Sequence, residues 1–145
     1  MTRFWVLGFV DLDTRQVRIL SGSDGMWSPR WSPDGRYVLA LRTVSQGLWL
    51  FDFTTQQWHT LPVGVPDFPS FSHDSRFIYF LRFGREQGVF RIPLAGGKVE
   101  RVVDMTDWHL TGHSGFSMTL DPTDAPLVLR GVGSNDIYAL TLETK

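Results

Sequence analysis

The chain contains no cysteine among its 145 residues, which excludes disulfide bridges and thiolate metal sites. It also lacks an excess of charge of either sign, since 14 Lys and Arg residues stand against 15 Asp and Glu residues. Binding to nucleic acid requires a concentrated positive surface that contacts phosphates. The charge balance therefore argues against a nucleic-acid partner, whereas the lack of cysteine does not distinguish cytoplasm from periplasm.

The sequence also lacks a long apolar run. The apolar segment 4–10 ends at Asp11. A membrane-spanning helix needs about 20 apolar residues, and a secretory signal needs small residues at a cleavage site after its apolar run. Neither requirement is met, so we predict that this segment is a strand, and we expect neither a signal peptide nor a membrane partner.

The chain does contain a repeat of about 40 residues. Segment 47–58 recurs 41 residues later as 88–99 and 41 residues earlier near 7–17. Segment 31–42 recurs as 71–82, and a looser copy follows at 120–130. Each period holds four short apolar segments separated by turn residues, with many β-branched and aromatic residues and no helical periodicity. This pattern predicts strands.

The predicted strands fall into four groups along the chain. They lie near 4–12 and 16–20; near 27–31, 37–43, 48–53 and 57–61; near 68–71, 77–82, 89–94 and 99–103; and near 116–120, 127–130 and 136–142. We therefore expect one all-β repeat domain over 1–145. Its parts are 4–22, which holds the last two strands of a preceding unit, then 27–62, 67–104 and a three-stranded unit at 114–143. Four antiparallel strands in each period of about 40 residues are typical of β-propeller blades.

A turn motif carries a family resemblance. It consists of Trp31, Ser32, Pro33, Asp34, Gly35, Arg36 and Tyr37, and Asp74 and Arg76 repeat part of it. The motif resembles the SPDG repeat of TolB-type β-propellers, which are related in pattern to WD repeats. The resemblance covers 6–143, and segment 120–142 is similar to the closing blade of propellers attached to bacterial winged-helix or protein-kinase regulators. It implies a partial propeller of about three blades plus two leading strands, because TolB-type propellers have six or more blades.

The residues of the motif suit a hairpin turn. Pro33 sets φ for the first central position, Asp34 can accept hydrogen bonds from backbone N–H groups, and Gly35 can adopt a positive φ. These roles assign Asp34 to the turn and not to catalysis. Trp31 and Phe71 precede the two turns at equivalent positions, which predicts large buried side chains that pack one blade on the next.

Two further motifs each lack a part that their chemistry needs. Segment 112–116 has the Gly-x-Ser order of a hydrolase nucleophile elbow, but Phe116 replaces the closing glycine. His109 and His113 have the spacing of metal ligands on a helix, yet the glycines around them indicate a loop. The sequence therefore predicts no catalytic residue, no metal and no other cofactor.

Ligand contacts are expected from the loops that lead into the innermost strand of each blade. These loops lie at one face of a rigid scaffold and hold the less repetitive residues of each period. The candidate binding residues are Trp27, Arg30, Asp67, His109 and His113. We expect a non-enzymatic binding, scaffold or sensory module whose partner is a protein or a small molecule.

Two alternatives stay open, an accessory propeller of a prolyl-oligopeptidase-like hydrolase and a fragment of a longer propeller. Three blades are too few for a normal ring, so we expect either missing blades or a homodimer that makes one six-bladed ring. In that dimer, the strand near 16–20 of one copy pairs with 137–142 of the other. This scheme leaves over the strand near 4–12, for which two places stay open, along the outside or paired elsewhere.

Overall fold

The structure is a computed structural model that describes residues 5–42, 47–108 and 117–129. Its strands are β1 (Gly8–Val10), β2 (Val17–Ile19), β3 (Met26–Trp31), β4 (Tyr37–Arg42), β5 (Gly47–Asp52), β6 (Gln57–Leu61), β7 (Asp67–Phe71), β8 (Phe77–Arg82), β9 (Gly88–Pro93), β10 (Glu100–Asp104), β11 (Met118–Leu120) and β12 (Pro126–Val128). The predicted strands of the two complete units agree closely with these bounds. The predicted strand 4–12 is shorter than expected, and the one near 136–142 lies outside the described residues.

The strands form two antiparallel sheets of four strands and two hairpins. We call β3 to β6 the first blade and β7 to β10 the second blade, and in each the strands pair in sequence order. The register repeats between them, since Tyr37 lies opposite Asp52 in the first blade and Phe77 lies opposite Pro93 in the second. This architecture confirms the predicted all-β fold built of four-stranded antiparallel blades. Within the described ranges, no helix is long and apolar enough to cross a membrane.

The two hairpins flank the blades in sequence. We call β1 and β2 the leading hairpin, and β11 and β12 the final hairpin. In the leading hairpin, Gly8 pairs with Ile19 and Val10 with Val17. Of the two places expected for the strand near 4–12, along the outside or paired elsewhere, the structure shows pairing, because a short turn brings β1 and β2 of the same chain together. The expected exchange with 137–142 lies outside the described residues.

Buried apolar side chains fill each interface between successive units. Alternate residues of a strand point to opposite faces of its sheet, so in β4 Val38 packs towards the leading hairpin with Leu20 and Phe51. Leu39, the next residue, packs towards the second blade with Ile78 and other apolar residues. The third interface joins the second blade to the final hairpin and includes Leu81, Val89, Met105 and Met118.

The motif turns recur at three places with the same geometry. Gly35, Ser75 and Asp124 hold equivalent positions with φ of 73°, 56° and 64°. In each turn the N–H of that residue donates to the carbonyl three residues earlier, at 2.9, 3.0 and 2.9 Å. The backbone N–H of Arg36 donates to Asp34 Oδ1 at 3.0 Å. These bonds confirm the turn roles predicted for Asp34 and Gly35.

Trp31 is not buried, which corrects the expectation from its equivalence to Phe71. Trp31 is 51% exposed, whereas Phe71 is 6% exposed. The Trp31 ring stacks on Phe53 at 5.0 Å between centroids, and it meets Phe9 of the leading hairpin edge-on at 6.3 Å. Trp31 faces a unit of which two strands are described, while Phe71 packs against a four-stranded sheet, so Trp31 receives less cover.

Candidate ligand-binding site

A cavity of about 460 Å³ lies at the end of the first blade where β4 ends and β5 begins. Its lining residues are Trp5, Trp27, Leu41, Arg42, Gly47, Val65, Pro66 and Asp67. The volume lies within the usual range of small-ligand pockets, roughly 300 to 1,000 Å³. Two of the predicted binding residues, Trp27 and Asp67, line this cavity together.

Trp27 and Asp67 line the same cavity because they occupy equivalent positions in successive blades. Each lies at the start of an innermost strand, just before a break in the strand register. At both breaks a residue before proline has a positive φ, 53° at Ser28 and 48° at Phe68. A bulge bends its strand and redirects the adjacent side chains. The repeated bulges therefore shape the part of each blade that borders the cavity.

The cavity has an aromatic and apolar wall. Trp27 is 38% exposed and Trp5 is 71% exposed, so both indoles are open to a ligand. The carbonyl of Trp5 accepts a hydrogen bond from the backbone N–H of Gly25 at 2.7 Å, which holds Trp5 beside the start of β3. Val65 and Pro66 extend the apolar surface from the loop before β7. Such a wall offers stacking surface to a ligand.

Asp67 contributes a partly buried carboxylate. Burial raises its pKa, and the hydrogen bond from the backbone N–H of Phe68 to Asp67 Oδ1, at 2.9 Å, opposes that rise only in part. Within the described ranges, none of the ion pairs includes Asp67. The site therefore contains an acidic group that is partly removed from water and has no cationic partner among the described residues.

Arg42 is the cationic residue in the cavity lining. Its guanidinium carbon lies 5.1 Å from the ring centre of Trp49, a cation–π distance. Arg82 holds the equivalent position in the second blade. Its guanidinium carbon lies 4.5 Å from the ring centre of Phe90, and it also donates to the carbonyl of Val63 at 2.8 and 3.1 Å. The cation–π contact is thus shared by the two blades, and the hydrogen bonds to Val63 belong to the second blade.

The other predicted binding residues do not join this cavity in the described structure. Arg30 is exposed, and its Nη1 donates to the carbonyl of the adjacent Pro29 at 2.8 Å. His109 and His113 lie outside the described residues. Sequence reasoning missed Trp5 and Arg42, although the 40-residue match of Arg42 with Arg82 was a usable signal.

The described residues include no group of three or more His, Asp or Glu side chains placed to hold a metal ion. The carboxylate that lines the cavity among them is that of Asp67.

Comparison with solved structures shows the architecture of the chain. TolB from Acinetobacter baumannii superimposes with a TM-score of 0.61 and 19% identity, over 85% of this chain and 34% of that one. A putative TolB from Agrobacterium tumefaciens gives 0.52 and 23%, over 70% and 35%. The chain has the β-propeller fold. The propeller is also similar to the tricorn protease, with a TM-score of 0.55 and 15% identity over 82% of this chain and 12% of that one.

The propeller described here spans about a third of the length of the solved TolB structures. No protein-family profile matches the chain, and no curated protein sequence matches it. At these identities the similarity establishes the fold, and the function has to be argued from the site.

Proposed function

We propose that this chain is a non-enzymatic segment of a β-propeller that binds a small ligand at one of its faces. The observation that carries the proposal is the cavity that Trp27 and Asp67 line from equivalent positions of two successive blades. Loops at one face of a rigid β scaffold are where recognition concentrates. A mostly apolar cavity with a few polar groups is the usual form of a small-ligand site.

The carboxylates of the motif turns support a binding role over a catalytic one. The pKa values of Asp34 and Asp74 are lowered, chiefly by hydrogen bonds from the hydroxyls of Ser32 and Ser72. These groups are therefore ionised acceptors within turns. Asp67 has a raised pKa, as an acid catalyst would, but no nucleophile or second titratable acid among the described residues lines its cavity.

A ligand-observed NMR screen with a mixed library of neutral, cationic, anionic and sugar fragments tests the binding role. We expect binding signals in the wild type that are lost in Trp27→Ala and kept in Trp31→Ala. Trp31 is the matched control, because it is also a partly exposed indole but does not line the cavity. A screen in which no fragment distinguishes Trp27→Ala from the wild type would contradict the proposal, as would turnover of ester, peptide or phosphate substrates that Asp67→Asn abolishes.

We also propose that the chain associates with a second copy to complete a ring. The face of the leading hairpin turned away from the first blade exposes Val10, Val17 and Ile19 at 54%, 68% and 65%. Every interface between the described units is filled by apolar side chains. The solved TolB chains are about three times longer, so in that fold further blades are available to cover such a face.

Light scattering of the wild type and of a Val17→Lys, Ile19→Lys variant tests the association. We expect the wild type to have twice the mass of one chain and the variant to have the mass of one chain, because lysines on this face would be buried without partners. Arg18→Lys is the control, because Arg18 lies between these residues in β2 and points to the opposite face. A wild type that stays monomeric at micromolar concentration would contradict the dimer.

A second candidate function is that of an accessory propeller of a peptidase. The similarity to the tricorn protease favours this candidate, because 82% of this chain superimposes on a part of that protease that makes up 12% of its length. A hydrolase reading frame fused or adjacent to this one would support the candidate, whereas an adjacent frame with the missing blades would support a fragment of a longer propeller.

A further inference from the structure

We propose that the cavity binds an organic cation, an alkylammonium, quaternary ammonium or guanidinium group held against Trp5 and Trp27 by the carboxylate of Asp67. This inference rests on the proposed function, because it names the ligand class of the same site. It depends on three observations, which concern the carboxylate, the two indoles and the position of Arg42.

The partly buried carboxylate of Asp67 has no cationic partner among the ion pairs of the described residues. A charged group removed from water is costly unless it is paired, and natural proteins usually pair such groups. The described partner of Asp67 is the N–H of Phe68, at 2.9 Å, and an ionised carboxylate has about four acceptor sites. A ligand cation in the cavity would supply the missing charge.

The two indoles add a second attraction for the same kind of ligand. The face of an aromatic ring carries partial negative charge, and tryptophan attracts cations more strongly than phenylalanine or tyrosine does. Trp5 and Trp27 line the cavity with Asp67, and both are exposed to it. Several aromatic rings around one pocket are how proteins recognise quaternary ammonium groups. Because uncharged ligands also stack on indoles, the test must isolate the charge.

Arg42 would oppose a cation if its charge lay beside Asp67. Its guanidinium instead lies over the ring of Trp49, at 5.1 Å from the ring centre, and Trp49 does not line the cavity. The pKa of Asp67 responds to burial and to the N–H of Phe68, with no contribution from Arg42. None of the ion pairs among the described residues joins Arg42 to Asp67, so Asp67 stays available to a ligand.

Choline and 3,3-dimethyl-1-butanol provide the test, since they have the same shape and differ in the charged nitrogen. Titration followed by tryptophan fluorescence and NMR should show that choline binds about tenfold more tightly or better. Asp67→Asn should remove most of this preference and leave the affinity for the neutral alcohol unchanged. Asp24→Asn is the matched control, because Asp24 is an exposed acid that does not line the cavity.

A pH series on the wild type gives a second readout that needs no substitution. Arg42, from the end of β4, and Asp67, from the start of β7, are the charged groups in the described lining. Asp67 is the carboxylate of the pair, and its protonation is the change that the series follows. The affinity for choline should fall as the pH is lowered through the raised pKa of Asp67, and the affinity for the alcohol should not change.

The outcomes separate this inference from the proposed function. Equal affinity for the two probes, a preference for the neutral one, or a choline preference that survives in Asp67→Asn overturns the cation inference and leaves a ligand site at Trp27. Absence of saturable binding by choline overturns it as well. The proposed function falls only if the fragment screen also finds no ligand that depends on Trp27.

Discussion

The carboxylate of Asp124 lies 2.6 Å from Nδ1 of His73 and accepts a hydrogen bond from the backbone N–H of His73 at 2.9 Å. The two residues are 51 positions apart and join the motif turn of the second blade to that of the final hairpin. One blade earlier, the N–H of Asp34 donates to Ser75 Oγ at 3.3 Å. Ser75 and Asp124 are the equivalent left-handed residues of their turns. Each turn is thus linked to the next through the same position.

Asp124→Gly should lower the free energy of unfolding by about 1 kcal/mol, the usual net value of a hydrogen bond. Glycine accepts the φ of 64° at this position, so the substitution adds no backbone strain to the loss of the contacts to His73. Urea denaturation measures the effect. Asp13→Gly is the control, because Asp13 lies in the exposed turn of the leading hairpin. Equal losses in the two variants would show that the link to His73 contributes nothing.

Trp31→Ala should lower the free energy of unfolding by about 1–2 kcal/mol. Truncation of a buried large aromatic side chain typically lowers it by about 3–5 kcal/mol. The indole is 51% exposed, and its main contact is the stack on Phe53. Phe51→Ala is the comparison, because Phe51 is 1% exposed in the interface with the leading hairpin. This variant should lose about 3–5 kcal/mol of the free energy of unfolding. A loss for Trp31→Ala as large as that for Phe51→Ala would mean that a further unit covers Trp31 in solution.

The stability should fall as the solution is acidified, and Asp52 should account for part of the fall. The Arg36 guanidinium, with Nη2 at 3.0 Å from Asp52 Oδ2, lowers the pKa of this carboxyl from 3.8 to about 2. The pKa of Asp52 is lower in the folded state than in the unfolded state. Its stabilisation is therefore complete above a pH of about 3.8 and is lost as the pH falls towards about 2. Urea unfolding between pH 6 and 2 should show a shallower fall in Asp52→Asn. Asp13→Asn should retain the wild-type slope.

Gly88→Ala should destabilise the chain by about 1–3 kcal/mol, the usual cost of inserting a methyl group into a packed site. A Cβ at Gly88 would clash with the backbone carbonyl oxygen of Val103, next to the register break in β10. Relief of this clash would require a shift of the backbone of β10. Gly8→Ala is the control, because its Cβ would meet Val17 at an ordinary 3.5 Å. Thermal unfolding compares the two. Equal melting temperatures would show that β10 can shift to accept the methyl group.

The strands could be predicted because the repeat shows each of them more than once. The match of 31–42 with 71–82 places β4 and β8 together, and the turn roles of Asp34 and Gly35 follow from residue chemistry. The exposure of Trp31 could not be predicted in this way. Its equivalent, Phe71, has the same place in the repeat but a different neighbour, and burial depends on the neighbour.

The candidate site could be predicted only in part for a related reason. Trp27 and Asp67 were found because they hold the same position in the loops of two blades. Trp5 was missed because the apolar run around it predicts one long strand, whereas β1 begins at Gly8. The bulges at Ser28 and Phe68 were also not predictable, because a residue before proline usually favours an extended conformation.

Among the described residues, the linked turns and the three apolar interfaces form a row of units in which each unit packs against its neighbours in sequence. In such a row stability is a sum of unit and nearest-neighbour terms, and opening starts where a unit has one neighbour. In a chain that is not associated with a second copy, amide hydrogens in β1 and β12 should therefore exchange with solvent sooner than those in β4 and β8, whose sheets pack against a neighbour on both faces. Loss of a single interface would split the row into two shorter cooperative blocks with separate melting transitions.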